Sequence, residues 1–73
     1  MNEVGEFLKA NGFATASESV YVNGKCNVIF NTTYYEIIDR EGNAMYTESI
    51  SIYALIGILT YCGFMDKNYK QLN

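Results

Sequence analysis

Residues 51–64 read SIYALIGILTYCGF, the longest apolar run in a chain of 73 residues. The run predicts a helix of about three turns that begins after a serine cap, either Ser49 or Ser51, because a serine hydroxyl accepts a hydrogen bond from the first turn. Four apolar residues at helical spacing form one face of this helix: Ile52, Leu55, Ile56 and Leu59. We expect that face to cover the core.

A second stripe of the same helix contains Tyr53, Gly57 and Tyr61, and Ile58 widens it. A helix that is apolar nearly all round is buried on more than one side or inserted in a membrane. The run is far shorter than the roughly 18–20 apolar residues that span a bilayer, so the stripe predicts contact with a protein partner. Gly57 costs about 1 kcal/mol relative to alanine. It indicates either close approach by another backbone or contact with a ring of the protein's own sheet.

Both helices are expected to end at a glycine in the left-handed conformation, with a hydrophobic contact across the end of the helix. The contact pairs are Leu59 with Phe64 around Gly63, and Leu8 with Phe13 around Gly12. The first helix is predicted from Glu3 to about Asn11, with Asn2 as its cap. Its narrow apolar stripe consists of Val4, Phe7 and Leu8.

Four strands are predicted between the helices, and Ala14–Ser19 is expected to be a loop or a frayed strand start. The strands are Val20–Val22, Lys25–Phe30, Tyr34–Asp39 and Asn43–Glu48. Asn23-Gly24 predicts a two-residue type I′ turn, which sets Tyr21 opposite Cys26 and Val20 opposite Asn27. Asp39–Gly42 predicts a type I turn with a glycine bulge, which sets Ile37 opposite Met45 and Glu36 opposite Tyr46.

Strand alternation divides the side chains between two sheet faces. The inner face is predicted to hold Cys26, Val28, Phe30, Tyr35, Ile37 and Met45. The fold class is therefore α+β, with the order α-β-β-β-β-α: a small antiparallel meander with two helices on one face. We expect a single domain over 1–73, ordered over about 2–65, with a frayed tail over 66–73. The other face, with Ile29, Tyr34, Ile38 and Tyr46, is less polar than an open sheet face usually is.

Composition argues against several kinds of site. The chain has no histidine and only two cysteines, so the usual zinc site cannot be built within it. The net charge is −3, which argues against binding a phosphate backbone. No basic and apolar leader is present at the N-terminus, which predicts a cytoplasmic protein with reduced cysteines. No cofactor motif is present.

Catalysis is not expected, since Cys26 and Cys62 have no histidine to act as a base. Both are expected to be buried thiols, with a Cys26–Cys62 disulfide as the alternative in an oxidising compartment. The acidic pairs Glu36 with Glu48 and Asp39 with Glu41 are explained by exposure and by turn chemistry. Four strand tyrosines, Tyr21, Tyr34, Tyr35 and Tyr46, could instead stack bases of single-stranded nucleic acid, but the sheet lacks a basic groove.

The runs Ile52–Lys70, IYALIGILTYCGFMDKNYK, and Tyr34–Asp39, YYEIID, resemble small uncharacterised proteins of gut Bacteroidales and their phages or mobile elements. The resemblance implies only a bacterial or phage accessory protein, and no known activity comes with it. We therefore expect a non-catalytic protein that binds another protein or itself as a homodimer. The predicted contact surface is Tyr53, Gly57, Ile58 and Tyr61, with Tyr34, Ile38 and Tyr46 as the alternative. Single-stranded nucleic-acid binding is the alternative function.

Overall fold

The computed structural model describes residues 3–71, and in that range one antiparallel sheet lies between two helices in chain order. The elements are α1 (Glu3–Ala10), β1 (Ala14–Ser17), β2 (Val20–Val22), β3 (Cys26–Phe30), β4 (Tyr35–Asp39), β5 (Ala44–Tyr46) and α2 (Ile52–Tyr61). The strands lie in the sheet in the same order as in the chain. The α+β class and the meander between two helices are confirmed.

The described chain has five strands rather than the four predicted, so the order becomes α-β-β-β-β-β-α. The additional strand is β1, which was expected to be a loop or a frayed strand start. All four of its residues are exposed, so no alternation of apolar and polar residues marks it in the sequence. Pairing of Ala14 with Val22 and of Ser17 with Val20 creates the strand, with an irregular register between them.

The predicted register between β2 and β3 is wrong by two residues. Tyr21 lies opposite Val28, and Val20 lies opposite Ile29. Among residues 3–71 only glycines have positive φ, so Asn23 cannot occupy the first position of a type I′ turn. Its side-chain oxygen instead accepts hydrogen bonds from the N–H groups of Lys25 at 2.9 Å and Cys26 at 3.1 Å. A shift of two residues keeps every side chain on its predicted face.

The hairpin between β4 and β5 has the predicted register, with Ile37 opposite Met45. Gly42 has a φ of 90°, and its N–H donates to the Asp39 carbonyl at 3.1 Å. The Asp39 carboxylate accepts from the N–H groups of Asn43 and Glu41, both at 2.9 Å. These bonds, led by the one from Asn43, lower the pKa of Asp39 below its ordinary value.

Helix α2 begins and ends through local hydrogen bonds. Ser51 is the cap, since its hydroxyl accepts from the Tyr53 N–H at 3.2 Å. At the other end Gly63 has a φ of 77°, and the Phe64 N–H donates to the Leu59 carbonyl at 2.8 Å. This is the predicted Schellman arrangement.

Helix α1 ends in the same way. Gly12 has a φ of 94°, and the Phe13 N–H donates to the Leu8 carbonyl at 3.0 Å. The predicted bounds of α1 agree with the structure to within one residue. The predicted cap, Asn2, lies outside the described residues.

One apolar cluster joins both helices to the inner face of the sheet. Its most buried members are Phe7 and Leu8 from α1, Val28 and Ile37 from the sheet, and Leu55 and Leu59 from α2. Cys26 and Tyr35 are also buried, and Phe30 and Met45 pack partly against the cluster. The predicted inner face is therefore confirmed. Both helices cover this one face and leave the other without a layer.

The chain after α2 returns along α1. The Asn11 side chain donates to the Lys70 carbonyl at 2.9 Å and accepts from the Lys70 N–H at 2.7 Å. The Tyr69 ring meets the Phe7 ring edge to face at 5.7 Å. Fraying of residues 66–73 concerns motion and stays a prediction, and residues 72–73 lie outside the described range.

Candidate interaction surface

Helix α2 is covered by its own chain on one side only. Leu55, Ile56 and Leu59 are buried. On the opposite side Tyr53 is 77% exposed and Tyr61 is 91% exposed. The stripe that the sequence predicts as a contact surface therefore faces outward in the single chain.

Gly57 lies in the middle of this stripe and is exposed. A Cβ atom added there would meet nothing within 4 Å. The expectation that a ring of the protein's own sheet fills this place is therefore wrong, because the stripe points away from the sheet. Close approach by another backbone, the other reason for a glycine at this position, stays a prediction.

An open groove lies between α2 and β5. It is lined by Met45 and Tyr46 from β5 and by Gly57, Ile58, Tyr61 and Cys62 from α2. No lining residue is charged. Tyr46 belongs to the surface that the sequence offers as an alternative, and Gly57 belongs to the first predicted surface. Part of each predicted surface therefore lines this groove, whereas Tyr53 lines a separate hollow beside α1.

Large exposed apolar side chains concentrate in one segment of the chain. Among residues 3–71 all four lie between positions 46 and 61: Tyr46 at 59% exposed, Ile50 at 54%, Tyr53 at 77% and Tyr61 at 91%. Scattered exposed apolar residues need no explanation, whereas a contiguous patch of several hundred Å² is typical of a contact site. Ile50 was not predicted. Its only sequence signal is an apolar residue within the polar linker TESIS.

Tyr46 is held between two neighbours on the outer sheet face. Its ring meets the Tyr34 ring edge to face at 5.8 Å, and Glu36 lies directly across the ladder. The Glu36 carboxylate raises the pKa of the Tyr46 hydroxyl, by charge and by a hydrogen bond. The third member of the predicted alternative surface, Ile38, is half-buried, like Tyr34.

Strand β5 is the open edge of the sheet beside the groove. Hydrogen bonds of 3.0 Å join Asp39 to Asn43 and Thr47 to Tyr35, one at each end of the β4–β5 ladder. Bonded and non-bonded pairs alternate in an antiparallel ladder, so Met45 bonds back to β4. Ala44 and Tyr46 then point their backbone N–H and carbonyl groups outward.

The two cysteines lie in different surroundings. Cys26 is buried, and burial, with a smaller effect of Cys62, raises the pKa of the Cys26 thiol to about 12. Cys62 is exposed, and its sulfur lies 3.6 Å from the Met45 sulfur in the groove. The expectation of two buried thiols is therefore wrong for Cys62, which is the C-cap residue of α2. Both thiols are free.

The four strand tyrosines do not form one stacking platform. Tyr21 is 7% exposed and Tyr35 is 2% exposed, and the Tyr35 hydroxyl donates to the Ile50 carbonyl at 2.7 Å. Neither ring can stack on a base. The hollow at the turn end of the sheet brings Lys25 and Arg40 together with carboxylates, which is not the basic groove that single strands follow.

No family model, curated protein or solved structure matches the chain. The resemblance to Bacteroidales and phage proteins therefore stays a prediction. In the part of the chain that the structure describes, no helix is long and apolar enough to cross a membrane. Within the same residues no three histidine, cysteine or acidic side chains gather as metal ligands do.

Proposed function

We propose that this chain is a small non-catalytic protein-binding module that acts through one surface, formed by α2 and β5. The groove surface consists of Met45, Tyr46, Gly57, Ile58, Tyr61 and Cys62, and Tyr53 extends it along α2 on the side that faces α1. On the sequence features alone we also propose a cytoplasmic location and a bacterial or phage origin.

The observation that carries this proposal is the apolar area left open on the groove surface. With about 200 Å² for each tyrosine, the fractions exposed at Tyr46 and Tyr61, which both line the groove, correspond to roughly 300 Å². A standard protein interface covers about 800 Å² on each partner. Two side chains therefore supply roughly a third of what such an interface needs.

The chemistry of the groove surface also suits a protein partner. Tyrosine is enriched at interfaces because it offers a large ring with few rotatable bonds and a polar tip. Here the rings project from a helix and a strand, whose backbones are fixed by the core. The groove has no charged lining residue, and Met45, Gly57 and Ile58 make part of its lining apolar.

A pair of matched variants tests this function. Tyr53→Gln with Tyr61→Gln removes both helix rings without changing net charge or helix propensity much. Thr15→Ala alters an exposed residue of β1, at the opposite sheet edge, and serves as the control. Each full-length tagged protein is compared by sedimentation and as bait in extracts of the native host.

The expected result is an association, with itself or with a specific retained protein, that the tyrosine variant loses and the Thr15→Ala control keeps. Circular dichroism confirms that both variants fold. If wild type and the tyrosine variant sediment alike and retain the same proteins, the groove surface does not bind a protein and the proposal fails.

A further inference from the structure

We infer that the partner of the groove surface is a second copy of this chain, whose β5 pairs antiparallel with β5 and whose α2 lies against α2. This rests on the proposed function of that surface. The pairing would join two five-stranded sheets into one continuous sheet with all helices on the same face.

Two different unpartnered features lie on either side of the groove. One is the backbone edge of β5, where Ala44 and Tyr46 point hydrogen-bonding groups outward. The other is the part of the α2 stripe that lines the groove, where Gly57 is exposed and Tyr61 is 91% exposed. An isolated peptide strand would cover the edge and leave the stripe open, and an isolated helix would do the reverse. A second copy brings both features in the same relative placement.

A pair of this kind can have exact two-fold symmetry. Antiparallel neighbours in one sheet are related by a two-fold axis normal to the sheet, and a two-fold interface uses the same patch on both copies. That axis keeps both α2 helices on the inner face and sets them antiparallel across the groove. Gly57, where a Cβ atom would meet nothing of its own chain, leaves room for the second helix.

The short strand also fixes the register. All three residues of β5 pair only when Met45 lies opposite Met45 of the second copy. Ala44 then lies opposite Tyr46 of that copy, and their outward groups form about four hydrogen bonds. The flanking pairs would be Asn43 with Thr47 and Gly42 with Glu48, so no like charges face each other across the axis.

The other sheet edge does not offer these features. The register of β1 shifts between Thr15 and Ser17, and irregularities of this kind blunt an edge against pairing. Its exposed side chains are alanine, threonine and serine, which provide little apolar area. We therefore expect two copies to pair at the β5 edge and not at the β1 edge.

Cross-linking tests the register directly. Met45→Cys is made in a Cys62→Ser background, which leaves the buried Cys26 as the other thiol, and the folded protein is oxidised with diamide. In the proposed pair the two introduced thiols form a non-bonded pair with Cα atoms about 4.5 Å apart, within disulfide reach. Ala44→Cys in the same background is the control, because its equivalents lie beyond the ~7 Å limit.

The expected result is a covalent dimer with Met45→Cys at least tenfold in excess of that with Ala44→Cys, and a concentration-dependent dimer of the wild type in sedimentation. Equal cross-linking of the two variants overturns the strand pairing, and more cross-linking with Ala44→Cys overturns the proposed register. If the wild type stays monomeric at its highest soluble concentration, the partner of the groove surface is not a second copy of the chain. The proposed function survives that last result if a host protein is retained by wild type and lost by the tyrosine variant, and fails if none is.

Discussion

Replacing Gly57 by alanine should stabilise the single chain and weaken its association. The residue is helical, lacks positive φ, and has open space where the new methyl group would lie. Alanine loses less backbone entropy on folding than glycine, so the expected gain in the free energy of unfolding is about 0.4–1 kcal/mol. In a domain of this size 1 kcal/mol raises the melting temperature by about 4–8 °C.

The effect on association should have the opposite sign. The methyl group stands where the second α2 approaches, and an overfilled contact costs about 1–3 kcal/mol. Since 1.4 kcal/mol is a factor of ten, this corresponds to roughly 5- to 150-fold weaker dimerisation. Gly57 would therefore lower the stability of the monomer and at the same time be required for the contact between the two copies.

The two effects are separated by concentration. Thermal unfolding is followed by circular dichroism at a dilution where the wild type is monomeric, since association itself would raise the melting temperature. Sedimentation at higher concentration then measures dimerisation. Gly63→Ala, just after the end of the same helix, is the control. It also has open space, but its φ of 77° predicts a loss of about 1–2 kcal/mol.

A lower melting temperature for Gly57→Ala would show that the helix is crowded at this position, against the geometry described above. A higher melting temperature with unchanged dimerisation would place Gly57 outside the contact and refute the reasoning about close approach.

Three further predictions follow from the same geometry. In the native protein Cys62 should react with a thiol reagent, and Cys26 should react only on unfolding. Burial raises the pKa of the Cys26 thiol to about 12. The contribution of Cys26 to the free energy of unfolding is therefore complete below the unfolded pKa near 8.5 and is lost as pH rises from there toward 12. Thiol titration and urea unfolding across that range would contradict this if both thiols react alike or stability stays flat. Leu55→Ala should cost about 2–5 kcal/mol, enough to unfold a domain whose core supplies about 3–5 kcal/mol, whereas Tyr53→Ala should change monomer stability by about 0.5 kcal/mol or less; equal urea midpoints would refute this. A single-stranded oligonucleotide should show no mobility shift even at low salt, and a salt-dependent shift would revive nucleic-acid binding.

The helices and the second hairpin were predictable because short-range chemistry fixes them. A serine hydroxyl one turn from the start of an apolar run, and a glycine followed by phenylalanine at its end, specify α2 without reference to the rest of the chain. In the same way Asp39 and Gly42 define a turn by their own hydrogen bonds and φ. Register and faces follow from such a turn.

The parts that sequence reasoning missed depend on competition or on distant contacts. At Asn23 the side-chain oxygen binds two backbone N–H groups, and its amide donates to the Phe64 carbonyl at 2.8 Å. Local pattern favours the type I′ turn, but these bonds stabilise a longer loop. Strand β1 exists through its pairing with β2, because its own residues carry no apolar alternation.

The candidate surface also has one part that local sequence predicts and another that depends on distant contacts. Tyr53, Gly57 and Tyr61 were predictable because helical period alone puts them on one stripe. Cys62 was missed as a surface residue and Met45 as a lining residue of the groove, because their place there depends on how β5 lies beside α2. The sequence can therefore define each half of the groove surface, and only the tertiary arrangement brings the halves together.

The register error in the first hairpin also bears on the proposed dimer. A shift of two residues leaves side chains on their faces, which is why the error between β2 and β3 moved no residue out of the core. A slip of two residues between the two β5 strands would likewise keep both α2 helices on one side. It would bring Ala44 opposite its equivalent and transfer the cross-link to Ala44→Cys. Sedimentation of the Gly57→Ala variant therefore tests the helix contact, and the two cysteine variants test the strand register independently of it.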